Sequence, residues 1–109
     1  MDLENPWAAK HNVLGFDGVA LVRLSMGSMS VPCFSTEHLA AVFISEHPEM
    51  AHEFTATPLE NFHVIREFLE AAKRLGAEYM SVDPFNSGQP DSHYSIDILL
   101  ADLPNQTSR

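Results

Sequence analysis

Apolar and polar positions divide the chain into short runs separated by Gly, Pro and Asp punctuation. Residues 1–17 mix polar positions with Trp7, Val13, Leu14 and Phe16, which predicts an arm or short helix that packs its aromatics on the domain, with frayed first residues. After Asp17-Gly18, the runs Val19–Ser25 and Ser28–Phe34 are joined across Met26-Gly27, the pattern of a β-hairpin. In the second run Met29, Val31 and Cys33 alternate with Ser28, Ser30 and Pro32. Pro32 has no N–H to give to a ladder, so this strand is expected at an edge, or its pairing ends there.

Ser35 or Thr36 then opens a helix running to about Glu46, which Pro48 stops because the residue before a proline avoids the helical region. Glu53–Ala56 reads as a short strand. Thr57-Pro58-Leu59-Glu60 has the form of a capping box, with Thr57 as N-cap, Pro58 at the first helical position and Glu60 at the third. It predicts a helix over 58–75. At 100° per residue Phe62, Val64, Ile65, Phe68, Leu69, Ala72 and Leu75 share an arc about 160° wide. The opposite arc carries Glu60, His63, Arg66, Glu67, Glu70, Lys73 and Arg74, with Glu70 and Arg74 in the favourable i,i+4 order. Gly76 suits the position just past the helix end.

Glu78–Val82 reads as a strand ended by Asp83-Pro84, and Phe85 to His93 has loop composition. Residues 95–103 fit either period: Ile96, Ile98 and Leu100 alternate as in a strand, while Ile96, Leu99, Leu100 and Leu103 follow helical spacing. Ser95 as N-cap and Pro104 after the end favour a helix, with a strand as the alternative. The order of elements predicts an α+β class: a small mixed β-sheet with an N-terminal β-hairpin, covered by two to three helices. The expected organisation is an arm over 1–17, a single domain over 18–104 and a flexible tail over 105–109.

Composition narrows the function classes. The 109 residues are 45% hydrophobic and 19% charged, enough for one core. Six Lys and Arg stand against 15 Asp and Glu, a net charge of -9 that repels phosphate backbones and attracts basic partners. A nucleic-acid partner is therefore not expected, and neither is a membrane, since no run approaches the ~20 apolar residues of a spanning helix. The acidic start Met1-Asp2-Leu3-Glu4-Asn5-Pro6 lacks a signal-peptide pattern, and the lone Cys33 excludes an intrachain disulfide. The expectation is a cytoplasmic protein, with association between copies of itself left open by the sequence.

Candidate chemistry is sparse. The 6 histidines invite a metal reading, and His47 and His52 lie close together between Glu46 and Glu53. Pro48 between them removes a shared helical face, so a polar loop explains them as well. His63 and Glu67 are i,i+4 on the charged arc and read as a solvated pair. Cys33 on a strand has no neighbouring cation or helix N-terminus to activate it and reads as a small buried residue. Ser25, Ser28, Ser30 and Ser35 need no catalytic role, and no cofactor is implied. Asp83-Pro84-Phe85-Asn86 differs, because it follows an interior strand at the end where α/β sheets often place ligands. Phe85 there is either an exposed anchor for a partner or a lid folded over the core.

Val31-Pro32-Cys33-Phe34-Ser35-Thr36-Glu37 leading into an apolar helix resembles the strand end of the SseB-type (enhanced serine sensitivity) N-terminal domain family. Phe54-Thr55-Ala56, the 58–75 helix and Met80-Ser81-Val82-Asp83-Pro84 match later elements of that family, with Asp83 where asparagine is usual. The resemblance spans about 19–103, supports a helix over 95–103, and carries over no catalytic residues. It implies a non-enzymatic protein–protein interaction or accessory module. Two alternatives are an acidic immunity-type inhibitor of a basic toxin or nuclease, and a metal-dependent enzyme built on His47 and His52.

Overall fold

The computed structural model describes residues 6–24, 27–83 and 93–103. The expected hairpin is present but short: β2 (Val22–Arg23) pairs antiparallel with β3 (Met29–Cys33). That ladder runs over Val22↔Ser30 and Arg23↔Met29 and stops before Pro32, as a residue without an N–H requires. Pro32 does not put β3 at an edge, however. β3 is interior, because β5 (Tyr79–Val82) pairs parallel on its other side, with Val31↔Met80 and Cys33↔Val82 in register. A further strand, β6 (His93–Ser95), adds antiparallel to β5 and gives a mixed sheet in the order β2-β3-β5-β6.

Residues 7–11 are not a loose arm or a helix. Trp7–His11 form β1, which pairs antiparallel with β4 (Phe54–Pro58) over the whole length of both strands. A bridge between Trp7 and Phe34 joins this pair to the end of β3. Successive residues of β1 serve opposite faces: Ala8 enters one core cluster with Phe16, Phe68 and Leu69, and Ala9 enters a second with Phe34, Phe43 and Met50. Val13 and Leu14 remain exposed in the turn that follows. His11 Nδ1 accepts from both of their N–H groups, at 3.1 and 3.0 Å. The turn closes tightly on Gly18, where a Cβ would stand 2.9 Å from the Cβ atoms of His11 and Leu14.

The helices follow the sequence more closely. In α1 (Glu37–Ser45) the Thr36 hydroxyl accepts from Leu39 N–H, and Ala40, Phe43 and Ile44 are buried. α2 begins later than the capping box predicts, at Phe62–Arg74 with Asn61 as the cap that accepts from Val64 N–H. The physical reason is the β1–β4 ladder, which holds Thr57 and Pro58 extended opposite Ala8 and Trp7 and adds a Leu59 N–H to Pro6 carbonyl bond. Tertiary pairing outweighs a local cap worth about 1 kcal/mol.

The buried stripe of α2 is Ile65, Phe68, Leu69, Ala71 and Ala72, the predicted arc with Ala71 added at its edge. Phe62 and Leu75, at the two ends of the helix, are exposed. Gly76, at φ 109°, ends the helix with Gly76 N–H to Lys73 carbonyl and Ala77 N–H to Ala72 carbonyl bonds, the pair that defines a Schellman turn. Arg74 reaches Asp17 at 2.8 Å rather than Glu70, and Lys73 reaches Asp97 at 2.6 Å. α3 (Ile96–Asp102) is helical as favoured, with Ser95 as its cap, and buries Ile96 and Leu99 against the core.

Candidate functional site

The parallel pairing of β3 and β5 brings their C-terminal ends together, so Cys33, Asp83 and the start of α1 meet at one corner. Asp83 adopts φ 50°, a left-handed conformation that Asp and Asn tolerate better than most residues. Its N–H still reaches the Cys33 carbonyl at 2.9 Å. Its carboxylate accepts from Ser35 N–H at 2.9 Å and from Ser35 Oγ at 2.8 Å. Asp83 thus ties the end of β5 to the entrance of α1, and both its oxygens are engaged. Pro84, Phe85 and Asn86, the other residues of the predicted partner site, lie outside the described residues.

Beside this corner the register of β3, β5 and β6 aligns three polar side chains on one face. Ser30 and Ser81 hydroxyls are 2.8 Å apart, and Ser81 Oγ is 2.9 Å from His93 Nδ1. The sequence places His93 at the end of a stretch with loop composition, because β6 is a three-residue strand of polar composition. A serine bonded to a histidine is the geometry of an activated nucleophile. Here Ser81 is only 1% exposed and Ser30 is fully buried, so neither hydroxyl presents itself to a substrate. The arrangement satisfies two buried hydroxyls, which unpaired would each cost about 1–3 kcal/mol.

Cys33 is buried, as expected from the sequence. Burial pushes its thiol well above the ordinary range, and the nearby Asp83 carboxylate pushes it the same way. It is therefore held as a thiol. His47 is half-buried and lies against Phe43 with ring centroids 4.4 Å apart, and its Nδ1 is 2.7 Å from the Phe43 carbonyl. His52 is exposed. Among the described residues no three His, Cys, Asp or Glu side chains converge on a point that could hold a metal. Nor is any helix among them long and apolar enough to cross a membrane.

A different feature stands open to solvent. Between α1 and β4 runs a groove of about 300 Å³ lined by Ala41, Ile44 and Ser45 of α1, by Ala51, and by Phe54, Thr55 and Ala56 of β4. The hydrogen bonds of β4 fix which way its backbone faces. Glu53 carbonyl accepts from Asn12 N–H and Leu59 N–H donates to Pro6 carbonyl, both toward β1. Alternation then directs Thr55 and Thr57 toward β1, and Phe54, Ala56 and Pro58 away from it. Among the described residues no strand pairs with that outer edge. Pro58 occupies a position where its missing N–H deprives no ladder.

Charge is segregated along the stretch of sequence that forms the groove. Residues 24–65 contain no Lys or Arg but hold Glu37, Glu46, Glu49, Glu53 and Glu60. Glu46 and Glu49 are exposed and flank the groove-forming segments in sequence, while Glu53 Oε1 lies 3.9 Å from His11 Nε2 on β1. In the sequence, Glu46 and Glu53 stand out only as carboxylates beside His47 and His52. The missing Lys and Arg over this span were the legible signal.

Comparison with known protein families finds no family model that matches the chain, and no curated protein matches it either.

Proposed function

We propose that the chain is a non-enzymatic protein–protein interaction module that takes a basic partner. The observation that carries this reading is the contrast in unmet bonding capacity. The side chains suited to covalent or acid–base chemistry, Cys33, Ser81 and His93, are buried or bonded to one another, while an apolar groove stands open in the part of the sequence that has no basic residue. The net charge of -9 favours rapid encounter with a basic surface. The resemblance to SseB-type N-terminal domains points the same way. An inhibitor of a basic toxin or nuclease is the narrower form of the same proposal, supported by the same charge. The metal-dependent alternative lacks a ligand set among the described residues.

The test is affinity purification of the full chain followed by mass spectrometry across a salt series. The expected result is a stoichiometric partner with a basic surface, released as salt approaches about 1 M, where the Debye length is near 3 Å. A partner retained unchanged at that salt would contradict the basic-partner reading. Substrate turnover abolished by a single-residue change would contradict the non-enzymatic one.

A further inference from the structure

We infer that the outer edge of β4 is a strand-addition site, which takes an extended Lys- or Arg-containing peptide segment of the partner between β4 and α1. This rests on the interaction-module reading and adds to it a place and a mode of binding. The edge offers the N–H and carbonyl groups of Phe54 and Ala56 on the side away from β1, as the β1–β4 hydrogen bonds require. Such groups are what an incoming strand pairs with, and a helix alongside supplies the wall on which alternate side chains pack. Here that wall is Ala41 and Ile44, and its small residues leave the 300 Å³ groove unfilled. Pro58 carries no N–H, which limits pairing to a short register and blunts the edge against open-ended association.

The chemistry of the occupant follows from the rim. An added strand places its side chains alternately into the groove and out toward solvent. The inward positions meet Ala41, Ile44 and Phe54 and accept small or branched apolar residues. Glu46 directly follows the groove residue Ser45 and Glu49 lies two positions before the groove residue Ala51; both are exposed, in a stretch with no Lys or Arg, which favours cationic side chains at the outward positions. A peptide alternating apolar and basic residues meets both demands. A second copy of this chain fits the rim poorly, because its own β4 region carries the same glutamates and like charges across an interface repel.

The probe is a short synthetic peptide alternating lysine and valine, with a glutamate-for-lysine version as control. Amide hydrogen exchange of the full chain is followed with each. The expected result is slowing of the Phe54 and Ala56 amides by at least about tenfold with the lysine peptide, and none with the glutamate peptide. Ala41→Lys, at an exposed helical position, should weaken binding by at least about tenfold, the scale of one lost anchor. Its thermal midpoint should remain that of the parent. Replacing Glu46 and Glu49 together by glutamine should weaken binding at low salt and reduce its salt dependence. Peptide binding that protects other amides, or that Ala41→Lys leaves intact, would overturn the β4 site while the basic-partner reading stands. Absence of peptide binding would also overturn the site. The salt-series purification judges the broader reading independently, since it does not depend on where the partner docks.

Discussion

The end of the sheet where β3 and β5 finish and the groove between α1 and β4 are opposites. The first is rich in reactive residue types, Cys33, Ser35, Ser81, Asp83 and His93, of which Ser35 bonds to Asp83 and Ser81 to His93. The second is mostly apolar, and among the described residues no strand pairs with its backbone edge. A catalytic-looking set of residues is thus used to fasten strands and a helix together, while a stretch of Ala, Thr and Phe forms the more available surface. Residue type alone does not distinguish the two. What distinguishes them is whether each polar group already has a partner.

The contrast can be broken first at the core beneath the closed end. Phe68 is fully buried and meets Phe16 edge-on, with centroids 5.6 Å apart. Phe68→Ala should cost about 3–5 kcal/mol in denaturant unfolding, whereas His63→Ala, on the exposed face of α2, should fall within about 0.5 kcal/mol of the parent. Equal midpoints for the two variants would show that the phase assigned to α2 is wrong.

Next in size is the serine seam. Ser81→Ala leaves the buried Ser30 hydroxyl and His93 Nδ1 without the partner they share, so a loss of about 1–3 kcal/mol is expected. A neutral Ser81→Ala variant would mean that the seam does not hold β3, β5 and β6 together, and the closed end would lose its structural explanation. The smallest effect concerns the entrance to α2. Asn61→Ala should cost about 1 kcal/mol through loss of the cap, and Thr57→Ala distinctly less. The reverse order would restore the earlier helix start and shorten β4, and with it the edge it offers.

Much of this architecture is written in side-chain pattern. The hairpin, the Thr36 cap and α1, the Phe68 stripe of α2, β5 and the Ser95-capped α3 all follow from spacing and caps. β1 does not, because Trp7–His11 has two alanines at its centre that serve opposite core clusters, which leaves no polar–apolar alternation to read. β6 is hidden for a different reason: His93–Ser95 is short and polar, and is extended by pairing with β5. The Thr57-Pro58 cap misleads because a ladder formed with residues some fifty positions earlier overrides it. The groove was out of reach for the same reason. Which side of β4 its N–H groups face depends on β1, and no local pattern in 54–58 encodes that.

Native-state hydrogen exchange on the free, full-length chain measures this difference in openness most directly. Within β4 the account predicts slow exchange at Thr55 and Thr57, whose amides face β1, and exchange faster by roughly two orders of magnitude at Phe54 and Ala56. Uniform protection along 54–57 would contradict it, since the outer edge of β4 would then already be paired in the free protein.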